Sequence, residues 1–274
     1  MNNEKIPCTV GVLTLNNAAT IERCLKSVQE FAEVIVMDGN STDKTLEIAR
    51  KFNNVRIARQ FDSDELNQVI QNFSQIRAKL LNLASYDWYL SLDSDEAASP
   101  ELVTEVKGII NEPEGVYVYN VPSKFILDGE VIEHASGYPG YEIYFFNKRV
   151  NPRYVKNVHE VVEFDEQYRL GALQAARLAI FNEEDTDFKI WKNKMRKYIK
   201  MEMDRTNDKS FWYFLKWRVA KQFWMITKAV LKITLLYLRY GFKKTLPPRL
   251  EFQRVYFYVW LTWAYFVKYF KGKY

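Results

Sequence analysis

The sequence lacks features on which several classes of protein depend. Its only cysteines, Cys8 and Cys24, are too few for a disulfide framework and form no CxxC zinc pattern, so we expect a protein of a reducing compartment. No GxxxxGK(S/T) phosphate loop occurs. The polar start of the chain, Met1 to Lys5, leads us to expect no signal peptide. The hydrophobic content of 48% is too high for a disordered chain.

Acidic and basic side chains are unevenly distributed. The chain has 274 residues and a formal charge of +5, but residues 1–185 carry 18 basic and 29 acidic side chains, a net charge of −11. Residues 186–274 carry 21 basic and 5 acidic side chains, a net charge of +16, and six of the seven tryptophans. This division predicts a globular domain over 1–185 and a basic, aromatic-rich helical segment over 186–274.

Strand and helix patterns alternate along the first hundred residues. Such alternation predicts an α/β fold with parallel strands joined by right-handed crossovers. The expected strands are Thr9–Leu15, Glu33–Met37, Val55–Ala58 and Trp88–Leu92, and the expected helices are Ala19–Phe31, Asp43–Phe52 and Asn67–Ala84. Ser41 or Thr42 is the candidate N-cap of the second helix. Because ligands bind beyond the carboxyl ends of strands in open α/β sheets, functional residues are expected there.

Three carboxylates, which we call the acidic cluster, follow the fourth strand, at Asp93, Asp95 and Glu96. Alternate residues of an extended segment point the same way, so Asp93 and Asp95 are able to converge. Carboxylates this close repel one another unless a cation lies among them, and Mg²⁺ and Mn²⁺ favour oxygen ligands. The alternative is a solvated acidic loop that caps the helix beginning near Pro100.

A fourth carboxylate, Asp38, follows the second strand. An Asp just beyond a buried parallel strand suits hydrogen bonding to a ribose or a base edge. The alternative is a simple turn in which Gly39 and Asn40 adopt unusual backbone angles.

Four segments together resemble glycosyltransferase family 2, the inverting enzymes with the nucleotide-sugar-binding GT-A fold. They lie in order over about the first 100 residues: Val10–Asn17 with Ile21–Val28, Val34–Thr45, Arg77, and Trp88–Glu96. Tyr138–Glu142, Phe145–Phe146 and Val158–Glu160 resemble a later signature of the branch that contains lipopolysaccharide core β-glucosyltransferases. That branch usually carries Asp at the position of Gly140 and Arg at that of Tyr144, and this chain departs from it at both.

The resemblance implies a site for a nucleotide-sugar donor, expected to be a UDP-sugar. The implied nucleotide-sugar-binding residues are Thr14, Asn16, Asp38, Arg77, Asp93 and Ser94. On this interpretation Asp38 binds the base or ribose and Asp93 faces the ribose. Asp95 would ligate Mn²⁺ or Mg²⁺ at the diphosphate, and the bound cation would stabilise the charge that develops on the leaving group.

The acceptor hydroxyl needs a general base on the face opposite the leaving group. Glu142 and Glu160 are the candidates outside the acidic cluster. The alternative for Glu142 is an exposed strand residue. Of the two histidines, His159 is a candidate metal or diphosphate contact by the resemblance, and His134 is interpreted as structural.

The basic segment contains a stretch, residues 211–240, that is almost free of helix breakers. On a helix, Lys221, Lys228, Lys232 and Arg239 fall within about 40° of one another, with Trp, Phe and Leu largely off that stripe. This pattern is typical of a helix that lies in a membrane interface. A second stretch, Val255–Val267, has 13 uncharged residues, fewer than the roughly 20 that span a bilayer.

One other interpretation of the basic segment stays open, in which its helices pack on the catalytic domain and on each other with the lysines in water. Self-association into a homo-oligomer is compatible with either interpretation. Nucleic-acid binding is not expected, because the aromatic residues are contiguous and aliphatic-rich, as in buried or lipid-facing surfaces.

These observations favour a metal-dependent inverting transferase on the cytoplasmic face of the cell membrane. It would move a sugar from a nucleotide donor to a lipid-linked or cell-envelope glycan of the lipopolysaccharide or capsule type, and an anionic membrane surface would hold it near this acceptor. The alternatives are a nucleotidyltransferase on a similar sheet and a catalytically inactive binding or scaffold protein.

Overall fold

A mixed sheet dominates the computed structural model, which describes residues 4–156, 161–181, 186–206 and 210–272. The strands are β1 (Ile6–Thr14), β2 (Phe31–Asp38), β3 (Val55–Arg59), β4 (Trp88–Asp93), β5 (Glu96–Ala98), β6 (Val118–Leu127), β7 (Glu130–Ile132), β8 (Gly140–Asn147), β9 (Arg153–Val155), β10 (Val161–Glu163), β11 (Leu170–Ala172) and β12 (Arg177–Ile180). Eight of them lie side by side in the order β3-β2-β1-β4-β8-β6-β12-β5, and β11 pairs with β6. The short strands β9 and β10 form a separate antiparallel pair.

The parallel part of the sheet consists of β3, β2, β1 and β4. Strands β1 and β2 are almost continuously apolar and buried on both faces, as parallel strands covered by helices must be. Val10 and Val12 of β1 belong to one hydrophobic cluster, and Leu13 belongs to a second cluster on the other face. The predicted α/β architecture with a mainly parallel sheet is therefore confirmed.

The strand order reverses at β1. The chain proceeds from β1 to β2 and β3 on one side and then returns to β4 on the other. Thr14 at the end of β1 lies opposite Asp38, and Leu13 lies opposite Asp93. An α/β sheet opens a crevice beyond the carboxyl ends of its strands at such a reversal, so this edge is where a ligand site is expected.

The α-helices between the described strands of the first unit are α1 (Ile21–Ser27), α2 (Thr45–Ala49), α3 (Phe73–Leu83) and α4 (Pro100–Asn111). Helix α4 begins as the sequence indicates, with Pro100 in its first turn and Ser99 accepting the Leu102 amide hydrogen bond at 3.1 Å.

The beginnings of α3 and α2 differ from the predictions. Helix α3 begins at Phe73 instead of Asn67, because Asn67 has a φ of 56° and Asn72 caps the helix by accepting from the Gln75 amide. The prediction that Ser41 or Thr42 caps α2 is wrong, since the helix begins at Thr45 after Lys44 and no side chain caps it.

The chain forms two compact units. One comprises residues 1–124 and 139–180, and the other comprises 125–138 and 181–274. The charge division of the sequence places the boundary at 185 and assigns 125–138 to the first domain. In the structure, those fourteen residues belong to the second unit.

The second unit is mostly helical. Its helices are α5 (Phe188–Arg205), α6 (Phe211–Tyr213), a π-helical segment (Phe214–Ala220), α7 (Lys221–Tyr240) and α8 (Pro248–Lys271). Ile199, Met203, Phe214 and Leu261 form one of its apolar clusters, with Ala264 and Tyr265. No helix among the described residues is long and apolar enough to cross a membrane.

Residues 125–138 are held in this unit by specific contacts. Strand β7 pairs with Phe125–Leu127 of β6. The His134 carbonyl accepts from the Leu246 amide at 2.9 Å, and the Ser136 amide donates to the buried carboxylate of Glu251 at 2.7 Å. The apolar cluster beneath these contacts consists of Leu127, Ile132, Ala135, Leu246 and Leu250.

Candidate functional site

A cavity of about 270 Å³ lies at the carboxyl ends of β1 and β4, where the strand order reverses. Its lining residues come from the loops after these strands and from the segment that leads into α3. They are Leu13, Thr14, Leu15, Asn17, Gln60, Gln68, Val69, Ile70, Phe73, Asp93, Ser94 and Asp95. We call this cavity the switch-point pocket. The structure brings four of the predicted site residues together there: Thr14, Asp93, Ser94 and Asp95.

The loop after β1 presents Thr14 and Asn17 to the switch-point pocket. The Asn17 carboxamide oxygen accepts from the Thr14 hydroxyl at 3.4 Å and from the Leu15 amide at 3.2 Å, which fixes the turn. The predicted residue Asn16 does not line the pocket. Its φ is 53°, and its side chain donates to Asn67 at 2.8 Å and accepts from the Thr42 amide at 2.9 Å, so Asn16 braces neighbouring loops instead.

Gln60 forms part of the pocket floor and is almost completely buried. Its amide nitrogen donates to the carbonyl oxygens of Thr14 at 3.1 Å and Met37 at 3.0 Å. These two acceptors fix the orientation of the amide group, because only the nitrogen is able to donate to them. Within the described residues, the Gln60 side-chain oxygen has no hydrogen-bond partner.

Asp38 lies in a different cavity, of about 330 Å³. Its carboxylate accepts from the Ser41 amide at 2.8 Å and from the Ser41 hydroxyl at 2.5 Å. These hydrogen bonds form a turn after β2, which agrees with the alternative interpretation of Asp38 as a turn residue. The structure therefore does not place Asp38 in the switch-point pocket with Thr14 and Asp93.

Arg77 lies behind the pocket wall, where helix α3 packs on the sheet. One guanidinium nitrogen donates to the Ser91 hydroxyl at 2.7 Å, and the other donates to the Asp93 carboxylate at 2.6 Å. The Arg77 side chain is buried, whereas the Asp93 side chain is 40% exposed. Arg77 therefore orients Asp93 from the protein interior and does not line the pocket itself.

Glu96, the third carboxylate of the acidic cluster, is buried and forms an ion pair with Arg177 of β12. Burial lowers the pKa of Arg177 to about 10, with Arg77 acting in the same direction and Asp93 and Asp95 opposing it. Arg177 therefore keeps its charge at neutral pH. Since Glu96 is engaged in this way, the pocket-facing carboxylates are Asp93 and Asp95.

The candidate base Glu142 forms an ion pair with the same guanidinium. Glu142 lies on β8 with 61% of its side chain exposed. The Arg177 guanidinium also lies 3.9 Å from the ring centre of Tyr144, the position at which the branch of the family usually carries Arg. Arg177 is thus a site residue that the sequence analysis missed, because no local motif marks a single Arg on a four-residue strand.

Cys24 lies directly below the acidic cluster, with its thiol 3.6 Å from the Asp93 carbonyl oxygen. Burial and the nearby carboxylates of Asp93 and Asp95 raise the pKa of this thiol. Cys24 therefore stays neutral and acts as a packing residue, not as a nucleophile.

The remaining predictions fall into two groups. Glu160 and His159 lie outside the described residues. His134 belongs to the second unit, where its ring stacks on that of Tyr240 at a centroid distance of 3.7 Å.

Comparison with known proteins identifies the family. The glycosyl transferase family 2 model matches residues 9–161, more than half of the chain. The chain belongs to this family. The match covers most of β1, the strands β2–β9 and the whole of the switch-point pocket, and it confirms the resemblance to glycosyltransferase family 2.

Individual relatives of this family-2 chain match a shorter segment. An uncharacterized glycosyltransferase of Rickettsia bellii is 37% identical over 100 residues, which is 36% of this chain and 31% of that protein. The glycosyltransferase SunS of the SPbeta prophage in Bacillus subtilis is 33% identical over 95 residues, 34% of this chain and 21% of SunS. The matched segment therefore spans a third or less of these relatives' own length.

Solved structures of similar proteins include S. aureus TarS, residues 1–349, in complex with UDP-GlcNAc. It is 17% identical with a TM-score of 0.49, over 97% of this chain and 92% of that one. Glucosyl-3-phosphoglycerate synthase from Mycobacterium tuberculosis, in complex with Mg²⁺ and UDP, is 26% identical with a TM-score of 0.35, over 43% of each chain.

Family 2 membership implies a divalent metal, and the residues present allow its fit to be tested. No group of three or more His, Cys, Asp and Glu side chains among the described residues is arranged to hold a metal ion. The pocket instead offers two carboxylates, Asp93 and Asp95, with only oxygen donors around them. This set does not fit a metal held by protein alone. It fits Mg²⁺ or Mn²⁺ of the kind bound by one or two carboxylates together with substrate phosphates.

Proposed function

We propose that this family 2 chain is a metal-dependent inverting glycosyltransferase that takes its sugar from a nucleotide donor in the switch-point pocket. The observation that carries the proposal is the convergence of Thr14, Asp93, Ser94 and Asp95 on one cavity of about 270 Å³ at the strand reversal. Thr14 comes from β1, and the other three come from the end of β4 and the turn after it. The sheet topology supports this location, because ligands of open α/β sheets bind beyond the carboxyl ends of the strands where the strand order reverses.

Each wall of the pocket has a part in binding the donor. Thr14 and Asp93 would contact the nucleoside, and the buried Arg77 holds Asp93 in place through its 2.6 Å hydrogen bond. Gln60 supports the pocket from below through its hydrogen bonds to the Thr14 and Met37 carbonyl oxygens. Asp95 would hold the metal with the donor diphosphate, and a bound cation supplies charge stabilisation for the leaving group.

Sugar transfer would be a single displacement at the anomeric carbon. The acceptor hydroxyl oxygen forms the new bond to this carbon while the bond to the diphosphate oxygen breaks. The electron pair leaves with the nucleoside diphosphate, and the hydroxyl proton passes to a carboxylate base. Attack from the opposite face converts an α-linked donor into a β-linked product.

We propose Glu142 as that base, with Glu160 as the alternative. Glu142 is exposed, lies on β8 outside the acidic cluster, and is held by the guanidinium that also binds Glu96. Arg177 would act as a positioning residue for Glu142. The acceptor would be a lipid-linked or cell-envelope glycan, which is supported by the resemblance to the lipopolysaccharide branch and by the basic aromatic segment.

Product analysis tests the proposed reaction. We expect wild-type protein with Mn²⁺ or Mg²⁺ to release UDP from a UDP-sugar, and we expect Asp95→Asn to lose this activity. Glu142→Gln should lower kcat by about 10²–10⁴ without weakening donor binding, the usual loss for a general base. If the Glu142→Gln variant keeps the full kcat, Glu142 is not the base, and Glu160 becomes the candidate.

Three results would contradict the reaction itself. Release of pyrophosphate would indicate nucleotidyl transfer. Donor binding without any turnover would indicate an inactive binding protein. Full activity of Asp95→Asn would remove the proposed metal ligand from the mechanism.

A further inference from the structure

Helix α7 of the second unit has an outer face that is apolar, although this face is exposed to water. Its inner face packs on protein through Gln222, Ala229, Ile233 and Leu236. At 100° per residue, the opposite side of the helix is centred on Trp224, Leu231, Leu235 and Leu238, which lie within about 60° of one another. A helix packed by one face normally carries polar residues on the other.

The apolar side chains of this outer face are unusually exposed. Trp224 is 66% exposed, Leu231 57%, Leu235 55% and Leu238 78%. Single exposed apolar residues are ordinary, but a contiguous row along about four turns of one helix indicates a surface with a partner.

Basic residues border this row along one side. Lys221, Lys228, Lys232 and Arg239 are all exposed and follow one another within about 40° around the helix, directly beside the leucines. Residues 210–250 contain no Asp or Glu. The partner of this face must therefore accept apolar side chains and be negatively charged beside them.

We propose that the outer face of α7 docks on an anionic phospholipid surface, with Trp224 and the leucines among the acyl chains and the basic stripe at the headgroups. Twenty residues of α7 with a charged stripe suit a helix lying in the interface plane, and no helix of the described chain is able to span a bilayer. Anionic lipid attracts each nearby Lys or Arg, so charge and apolar contact act together. This docking does not depend on donor binding or on sugar transfer.

Vesicle flotation of the full chain tests the docking surface. We expect wild-type protein to float with vesicles of phosphatidylglycerol and phosphatidylcholine and to float far less with phosphatidylcholine alone. Binding should fall as the salt concentration rises, because the charge attraction is screened. Wild-type protein that stays unbound with anionic vesicles would overturn the proposal.

Two pairs of variants test separately whether binding needs the apolar side chains of α7 and whether it needs the position of its basic stripe. Leu231→Gln with Leu238→Gln should lower the vesicle partition coefficient by about tenfold or more. The control is Leu83→Gln with Leu170→Gln, two exposed leucines of the first unit, which should bind as wild type. Circular dichroism confirms that each variant is folded.

Lys228→Glu with Lys232→Glu should lower the partition coefficient by about tenfold or more. Lys26→Glu with Lys51→Glu changes the net charge equally at two exposed positions of the first unit and should have little effect. Equal losses in the two charge pairs, or no loss in the α7 leucine pair, would show that binding does not use this face.

Light scattering in the absence of lipid tests whether a second copy of the protein, instead of lipid, covers the outer face of α7. A wild-type dimer that becomes monomeric in the Leu231→Gln, Leu238→Gln variant and fails to float would show that a second copy covers the face, which would overturn lipid docking.

Discussion

Arg177 is the residue on which the arrangement around the acidic cluster depends most. Its buried guanidinium pairs with Glu96 and Glu142 and lies over the ring of Tyr144. The strand that carries it is attached to the cluster by the Ile180 amide, which donates to the Asp95 carbonyl at 3.0 Å. One side chain therefore joins β5, β8 and β12 at the acidic end of the sheet.

Replacing Arg177 should be strongly destabilising. Arg177→Met leaves the buried Glu96 carboxylate without its partner, and breaking a buried ion pair in this way costs about 3–5 kcal/mol. The double variant Arg177→Met, Glu96→Gln should recover much of that loss, because the uncompensated charge is gone. Urea unfolding measures both changes.

The contrasting residue is Glu142, whose side chain is exposed. Glu142→Gln should change the free energy of unfolding by about 1 kcal/mol or less, since exposed ion pairs contribute little. A similar loss for Arg177→Met and Glu142→Gln would contradict the structural role assigned to the Arg177–Glu96 pair.

The sequence identified some site residues and missed others for a physical reason. Thr14, Asp93, Ser94 and Asp95 follow buried strands, and the position of a strand end is readable from an apolar run. Gln60, Gln68 and Phe73 line the same pocket, and none of them belongs to a sequence motif that indicates a ligand site. Arg177 meets its partners across 81 and 35 residues of chain. Such contacts are set by the folded sheet and leave no local signal.

At the scale of single elements, the centre of β1 requires glycine. A Cβ on Gly11 would overlap the hydroxyl of the fully buried Tyr89. We expect Gly11→Ala to destabilise the fold by about 1–3 kcal/mol, the range for overpacking in a core.

Gly108 in α4 provides the matched control. A Cβ there meets no atom within 4 Å, so Gly108→Ala should stabilise the protein by about 0.5–1 kcal/mol through helix propensity and reduced chain entropy. Chemical denaturation of both variants checks the pair. Equal effects of the two substitutions would contradict the packing described for β1.

Glu33 of β2 joins three segments and should contribute a pH-dependent part of the stability. Its carboxylate accepts from the Thr9 hydroxyl at 2.6 Å and from the Ser85 amide at 2.9 Å. Burial alone would raise the pKa of Glu33, but these bonds and that from Arg56 lower it overall. A lowered folded-state pKa means stability that is present above the unfolded value of about 4.3 and lost as the pH falls through the folded value.

We therefore expect Glu33→Gln to be less stable than wild type at pH 7, by about 1–2 kcal/mol. The difference should shrink as the pH falls below about 4. Urea unfolding from pH 7 to pH 3 measures this, with Glu30→Gln as an exposed control. A difference that stays constant over this range would contradict the hydrogen bonding assigned to Glu33.

The buried strands were the most predictable elements. The ends of β3 and β4 match the predictions within one residue, because short runs of apolar residues between turns are typical of parallel strands. The predicted beginning of α3 is six residues too early, since the segment from Asn67 to Asn72 contains residues that are compatible with a helix. Its left-handed Asn67 and the capping bond of Asn72 are visible only in the structure.

For the whole molecule, the opposite charges of the two halves do not coincide completely with its two units. The basic segment, residues 186–274, does lie in the second unit. Residues 125–138 also belong to this unit, through contacts near Thr245 and Glu251. Composition placed the boundary at residue 185, whereas the contacts divide the chain after residue 180. Composition gives no sign of the insertion, because the insertion depends on contacts about 110 residues apart.

A chain that ends at residue 185 should therefore be poorly folded around 125–138. It would keep Leu127, Ile132 and Ala135 but lose Leu246 and Leu250, which complete their cluster. We expect a lower Tm and increased binding of an apolar dye compared with the full chain. A truncated chain with unchanged Tm and dye binding would show that residues 125–138 do not need the second unit.

The central claim is that the switch-point pocket binds a nucleotide together with a divalent metal, and calorimetric titration with UDP tests it most directly. Wild-type protein should bind UDP with Mn²⁺ present, and Asp95→Asn should lose the metal-dependent part of the affinity. The control Asp62→Asn alters a fully exposed carboxylate paired with Lys79 and should bind as wild type. Wild-type protein that binds no UDP with Mn²⁺, or an Asp95→Asn variant that binds equally well, would contradict the account.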